Sequence, residues 1–196
     1  GPDQGAAHII APPLEKFADA AAKAPGELKI GVIKSSLLGT EIHAENSAAV
    51  AAATRRCEAL GHTMIECEYV LDFDEFADHI NVLWCAFAAQ FITQVTSTSD
   101  AKADVDHFEA VTLTCAEFGL RSSALDVLNA LDYVNRISRQ TAQLFGSIDC
   151  LMSSTLATPP PAHGVLDQND GALSALDWTR QTFRYANNTP LFNATG

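Results

Sequence analysis

The chain alternates short apolar runs with longer stretches in which apolar residues return every three or four positions. Leu28-Lys29-Ile30-Gly31-Val32-Ile33 is a β-compatible run and predicts the first strand. From about Ala44 to Leu60 the residues Val50, Ala53, Cys57 and Leu60 fall on one helical face, and Gly61 suits a left-handed stop just past the end. Thr63 to Glu68 then reads as a second strand. Strand, helix and strand in this order form a βαβ unit, which requires parallel strands and a right-handed crossover. Asp72-Phe73-Asp74-Glu75 has the composition of a capped helix start. The long helix that follows carries Phe73, Phe76, Ile80, Leu83, Phe87, Phe91 and Val95 at helical spacing. Such a stripe predicts a core helix, with a pocket lid as the sharper alternative. Two more helices follow, about Asp104 to Phe118 ending at Gly119, and about Ser123 to Phe145 ending at Gly146. The second of these repeats Leu125, Leu128, Leu131, Val134 and Ile137. Ile148 to Thr155 predicts a buried strand, with Ile148–Ser154 pairing into the sheet. A proline-rich loop and a last helix near Asp170 to Tyr185 complete the pattern. The fold class expected is α/β, a parallel or mixed central sheet surrounded by helices, with residues 1–27 as an alanine- and proline-rich arm or linker.

Charge narrows the partners. Among 196 residues, 24 acidic side chains face 12 basic ones, a formal charge of −12. That balance argues against nucleic acid, whose phosphates need basic clusters, and against anionic membrane surfaces. The longest apolar run, Val82 to Ala89, is far too short to cross a bilayer, and no secretory signal pattern opens the chain. Cys57, Cys67, Cys85, Cys115 and Cys150 are odd in number and widely spaced, which points to free thiols in a reducing cytoplasm. The sequons at Asn187 and Asn193 would matter only in a secreted protein.

Several residue groups imitate catalytic chemistry. Lys34-Ser35-Ser36 follows the first strand, but a lysine adjacent to the serines does not fold back easily onto both hydroxyls. It also lacks neighbouring glycines to present backbone amides to an oxyanion. An ordinary polar turn is the simpler reading. Ser153-Ser154 has no lysine within fifty residues on either side. His8, His43, His62, His79, His107 and His163 are scattered singly, with no pair at the spacing of a helical zinc site. Asp72, Asp74, Glu75 and Asp78 lack the loop pattern of a calcium site and read as a solvated helix start. No metal and no cofactor is expected, and no phosphate-binding glycine loop is present.

The closing third of the chain carries a more specific signal. Asp149-Cys150-Leu151-Met152-Ser153-Ser154-Thr155-Leu156-Ala157-Thr158-Pro159-Pro160-Pro161 reads as a strand entering a proline loop, and Thr189-Pro190-Leu191-Phe192-Asn193-Ala194-Thr195-Gly196 ends the chain. Both resemble the second half of the amidase signature family, whose members cleave amide bonds. Gly1-Pro2-Asp3, Leu28 to Val32, Ala59-Leu60-Gly61-His62, and Glu117-Phe118-Gly119 through Ser123-Ala124-Leu125-Asp126 resemble further family segments in the same order. Ser153-Ser154-Thr155 departs from the family, where many members carry a proline.

The resemblance implies a partial amidase-signature fold over residues 28–196. It also implies amide hydrolysis through a serine–serine–lysine triad, in which one serine attacks the carbonyl, a second relays a proton and an unprotonated lysine is the final base. The family's nucleophile lies in an upstream glycine- and serine-rich segment absent from these residues. No residue here is therefore assigned as catalytic, and the chain is expected to be a catalytically incomplete fragment. A stand-alone, non-catalytic α/β binding or interaction domain is the alternative. Thr155, Leu156 and Ala157 follow a strand's carboxyl end, where open α/β sheets place ligands. Phe192 and Asn193 lie in the segment resembling the approach to the active site. These five are the expected substrate-facing residues, with turn and core packing as the plainer reading for Thr155 and an equal one for Asn193. The expected partners are a small amide substrate in the complete enzyme and a second copy of the chain, with the aromatic stripe from Phe73 to Phe91 as the dimer interface.

Overall fold

A computed structural model of the chain describes residues 4–5 and 12–196. The Gly1-Pro2-Asp3 match and His8 lie outside the described residues, as does much of the expected arm. The rest of the arm contains a short helix, α1 (Phe17–Ala21). Leu14 and Phe17 beside it are exposed, so it adds nothing to the core.

Three strands, β1 (Lys29–Val32), β2 (Thr63–Glu66) and β3 (Cys150–Met152), form one parallel sheet in the order β2-β1-β3. Helix α2 (Ala44–Ala59) makes the crossover from β1 to β2, and Gly61 takes the positive φ that ends it. The register pairs Gly31 with Ile65 on one side and with Leu151 on the other. Gly31 is required there. A Cβ on it would stand 2.5 Å from the Ile148 side chain and 2.9 Å from Cys67 Sγ. The predicted third strand is longer than the observed one. Pairing continues past it only as single bonds, Asp149 N–H to Lys29 O and Ile33 N–H to Met152 O. Only β1 is well buried, while β2 and β3 keep partly exposed positions.

Helices α3 (Phe73–Thr98), α4 (Ala110–Arg121) and α5 (Ala124–Leu144) lie between β2 and β3 in the chain. Asp72 caps α3 by accepting the Glu75 N–H at 2.7 Å, but the carboxylate of Glu75 turns to Arg136 instead of back to the cap. Ser123 and Asp126 form a complete capping box on α5. Hydrogen bonds from the Ser123 hydroxyl and N–H hold the Asp126 carboxyl below its ordinary range. The core gathers Ile33, Leu37 and Leu38 after β1 with Phe76, Ile80, Ile137, Phe183 and Leu191.

Four expectations need correction. The helix predicted from Asp104 begins at Ala110, because Asp104 accepts from the His107 ring and closes a separate turn. It runs through Gly119 to Arg121, since Gly119 is not in the left-handed region and serves as a contact point. The helix predicted from Asp170 begins at Ala175 as α6 (Ala175–Tyr185), because Asp170 accepts the Ala172 N–H in a local turn and Ser174 is the cap. The closing segment, where a turn was the plainer alternative for Asn193, is α7 (Thr189–Thr195), with proline in its first turn, where a missing N–H costs nothing.

The aromatic stripe of α3 is divided. Phe76 and Ile80 are buried, whereas Phe87 and Phe91 are 66% and 54% exposed. Beyond Ile80 the buried face rotates to Cys85, Ala89 and Ile92. Small residues there let α4 approach, with Gly119 against the Cys85 backbone and Ala116 packed beside Ala89 and Ile92.

Candidate functional site

The carboxyl ends of β1 and β3 open into two loops, 33–43 and 153–174, which side chains from distant segments tie together. Ser36, 1% exposed, accepts from Leu38 N–H at 3.0 Å and from the Thr40 hydroxyl at 3.1 Å. Thr40 in turn accepts from Asn187 Nδ2 at 3.0 Å. Asn188 accepts the Leu37 N–H at 2.8 Å and donates to the Ser154 carbonyl at 2.7 Å. Backbone bonds finish the lacing, with His43 N–H donating to Ala157 O and Ala157 N–H to Tyr185 O.

Against this frame lies a cleft of about 560 Å³ between α2 and the loop after β3. Asn46, Val50 and Ala53 line its helical side, and Met152, Ser154, Thr155 and Leu156 its loop side. Asn46 Nδ2 donates to the Leu156 carbonyl at 2.8 Å, so this loop is fixed at the cleft wall. Thr155 is exposed, Leu156 half-buried and Ala157 buried. Thr155 and Leu156 thus line the cleft, while Ala157 holds the loop from behind.

Phe192 and Asn193 lie elsewhere. Phe192 packs against the core. Asn193 lines a second, smaller cleft of about 230 Å³ among Ile80, Leu83, Trp84, Phe87, Leu131 and Val134. Of the five expected substrate-facing residues, Thr155 and Leu156 line the cleft at the sheet end, Asn193 lines the apolar one between helices, and Ala157 and Phe192 line neither.

The serines are engaged without a base. Ser153 donates to the Ser154 carbonyl, and Ser154 Oγ accepts from Asn188. Lys34 Nζ pairs with Glu66 at 2.6 Å on the surface, whereas Ser36 is buried. Among the described residues no lysine is hydrogen-bonded to a serine, and no cluster of three His, Cys, Asp or Glu side chains forms. No helix among them is long and apolar enough to cross a membrane.

Sequence reasoning missed Asn46, Thr40, Asn187 and Asn188. The one local signal for the last two is the Asn187-Asn188-Thr189-Pro190 run, polar residues before a helix-starting proline.

A protein-family model described as Amidase matches residues 2–193. No curated protein matches the chain. Among solved structures, a 6-aminohexanoate cyclic dimer hydrolase with bound substrate is similar at a TM-score of 0.74 and 17% identity, over 94% of this chain and 41% of that one. A bacterial aryl acylamidase of the amidase signature family is similar at a TM-score of 0.63 and 15% identity, over 87% of this chain and 37% of that one. At such identities the likeness is one of fold. The chain spans about two fifths of the length of these structures.

Proposed function

Because the chain belongs to the amidase signature family, with which it shares its parallel sheet and surrounding helices, we propose that it is the substrate-facing part of an amide hydrolase whose serine–serine–lysine triad lies outside residues 1–196. The observation that carries this reading is the condition of the chain's own serines. An activated nucleophile needs a base within hydrogen-bond reach. Ser36, Ser153 and Ser154 are each tied to backbone or amide groups, and Lys34 faces Glu66.

In this reading residues 28–196 act as one partial domain and 1–27 as an arm before it. The cleft at the ends of β1 and β3 is where the substrate lies, with Thr155 and Leu156 at its wall and Ala157 fixing the loop. Asn193 borders the apolar cleft between helices, which suits a hydrophobic part of an amide substrate, and Phe192 packs against the core behind it. Five free cysteines, only Cys150 of them exposed, support a reducing cytoplasm.

A second reading, contact with another copy of the chain, rests on a different observation. Trp84, Phe87 and Phe91 of α3 and Leu125, Leu128 and Leu131 of α5 are all exposed large apolar residues. A closed two-fold dimer would cover such a face from both chains.

The site is tested in the enzyme produced from its whole reading frame. Leu156→Trp narrows the cleft and is expected to raise KM roughly tenfold with little change in kcat, the behaviour of lost uniform binding. An unchanged KM for every cleaved amide would remove Leu156 from the substrate wall.

A further inference from the structure

The cleft between α2 and the loop after β3 is an elongated trough with unlike ends. At one end Asn46 donates to the Leu156 carbonyl at 2.8 Å, and at the other the Thr54 hydroxyl donates to Met152 Sδ at 3.8 Å. Eight residues of α2 separate these contacts, about 12 Å of helix. Ala49, Val50 and Ala53 line the helical side, and Met152, Leu156 and Pro159 line the loop side, so the walls are largely apolar. Glu45, beside Asn46 in the first turn of α2, is the one charged residue among those lining the cleft. Acidic residues in the first turns of α5 and α6, Asp126 and Asp177, accept from a capping serine hydroxyl. Glu45 has no such partner, because the cap of α2 is His43, whose Nδ1 accepts the Glu45 N–H. Among the described residues the Glu45 carboxylate forms no ion pair and accepts no hydrogen bond.

We infer that Glu45 makes this cleft selective for amides that carry a cationic group beside an apolar body, with the cation at the Leu156 end and the body reaching toward Met152. The inference rests on the reading of the cleft as a substrate wall. The apolar body gains by leaving water against Val50, Ala53 and Met152, a non-directional attraction that sets affinity without choosing between charges. The choice falls to Glu45. An ammonium group at the mouth pairs with a carboxylate that has no other partner, whereas a carboxylate group there meets a like charge. No lysine or arginine lining this cleft offsets that repulsion, since Lys34 and Arg55 line a separate cleft. The formal charge of −12 on the chain acts in the same direction at longer range. Glu45 is exposed, so water screens the pairing and limits the preference for a cation to roughly fivefold.

The test uses the enzyme produced from its whole reading frame and three amides that share one apolar body. They end in trimethylammonium, in its neutral isostere tert-butyl, or in carboxylate. The expected kcat/KM is roughly fivefold higher for the ammonium than for the tert-butyl amide, and lowest for the carboxylate. Raising the salt to about 0.5 M should shrink the ammonium preference, because the pairing is screened. Glu45→Gln should bring the ammonium-to-tert-butyl ratio close to one, and Glu45→Lys should invert the ranking. A wild-type ratio near one, or a preference that Glu45→Gln leaves in place, would overturn the inference. Turnover of the tert-butyl amide tests the hydrolase reading separately, since it does not depend on a charge at Glu45. If none of the three is hydrolysed, calorimetric titration of the 196-residue chain compares the same amides. Tighter binding of the ammonium form, lost in Glu45→Gln, then supports the inference, and equal affinities overturn it.

Discussion

Asn188 joins three segments of chain with one side chain, taking the Leu37 N–H and giving to the Ser154 carbonyl and hydroxyl. It is 2% exposed, so water is poorly placed to replace it. Asn188→Ala leaves a buried donor and a buried acceptor unpaired, at a cost of roughly 2–5 kcal/mol. Urea unfolding should show a lowered midpoint, and a midpoint equal to that of the wild type would remove Asn188 from the frame of the site. Asp126 behaves differently because it is exposed. Its folded carboxyl titrates below its ordinary range, owing to the Ser123 hydrogen bonds. A depressed carboxyl contributes stability that is complete above the unfolded value of about 3.9 and is lost as pH falls through the folded one. Asp126→Asn should therefore melt below wild type at neutral pH, with the two curves converging in strong acid. A gap that persists at about pH 2 would show that ionisation is not the cause. The Asn187-Asn188-Thr189-Pro190 run signals a helix start but not what either asparagine binds, because their partners Thr40, Leu37 and Ser154 are brought near only by the sheet. Asp126, by contrast, lies three residues from its cap and was readable as a helix start.

The β1–α2–β2 unit was legible as an element because each piece is local, a strand run, an alanine-rich helical face and a glycine stop. Helix α3 was legible along its whole length as a helix, but its buried face only in the first half. A period of apolar residues fixes which side of a helix could be buried, but a second helix decides which side is. Here α4 chooses the small side of α3, and Phe87 and Phe91 are left outside. Gly119 is the residue that permits this. Its place near a helix end suggested a stop signal, yet it is helical and in contact. Gly119→Ala gains roughly 1 kcal/mol in helix propensity. It also drives a methyl group into the Cys85 carbonyl, so the helices must separate, and overpacking of this kind costs roughly 1–3 kcal/mol. The expected outcome is a net loss of thermal stability. A more stable variant would mean that the two helices are not packed through this residue. The misplaced starts of α4 and α6 share one cause. Asp104 and Asp170 look like helix caps in sequence but close short turns of their own.

The whole chain combines a small parallel sheet, a laced cleft at its carboxyl end and an apolar outer face on α3 and α5. If that face is a dimer interface, Phe87→Glu together with Leu128→Glu should shift a sedimenting dimer to monomer at micromolar concentration without loss of helix. A wild-type chain that sediments as a compact monomer would exclude the dimer. The two candidate segments were picked out by family resemblance, while their separation in the fold was not legible, because that depends on where α7 packs. In the function proposed above, these residues supply a substrate wall and no nucleophile. Positioning alone gives little hydrolysis without an oxyanion site and an activated serine. The most direct measurement incubates the purified 196-residue chain with aryl and aliphatic amides and with a serine-reactive phosphonate, beside the product of its whole reading frame. No turnover and no labelled serine are expected in the 196-residue chain, and both are expected in a product that carries the family's nucleophile segment, at a serine outside residues 1–196. Hydrolysis by the 196-residue chain, abolished by a phosphonate attached to Ser36, Ser153 or Ser154, would contradict it.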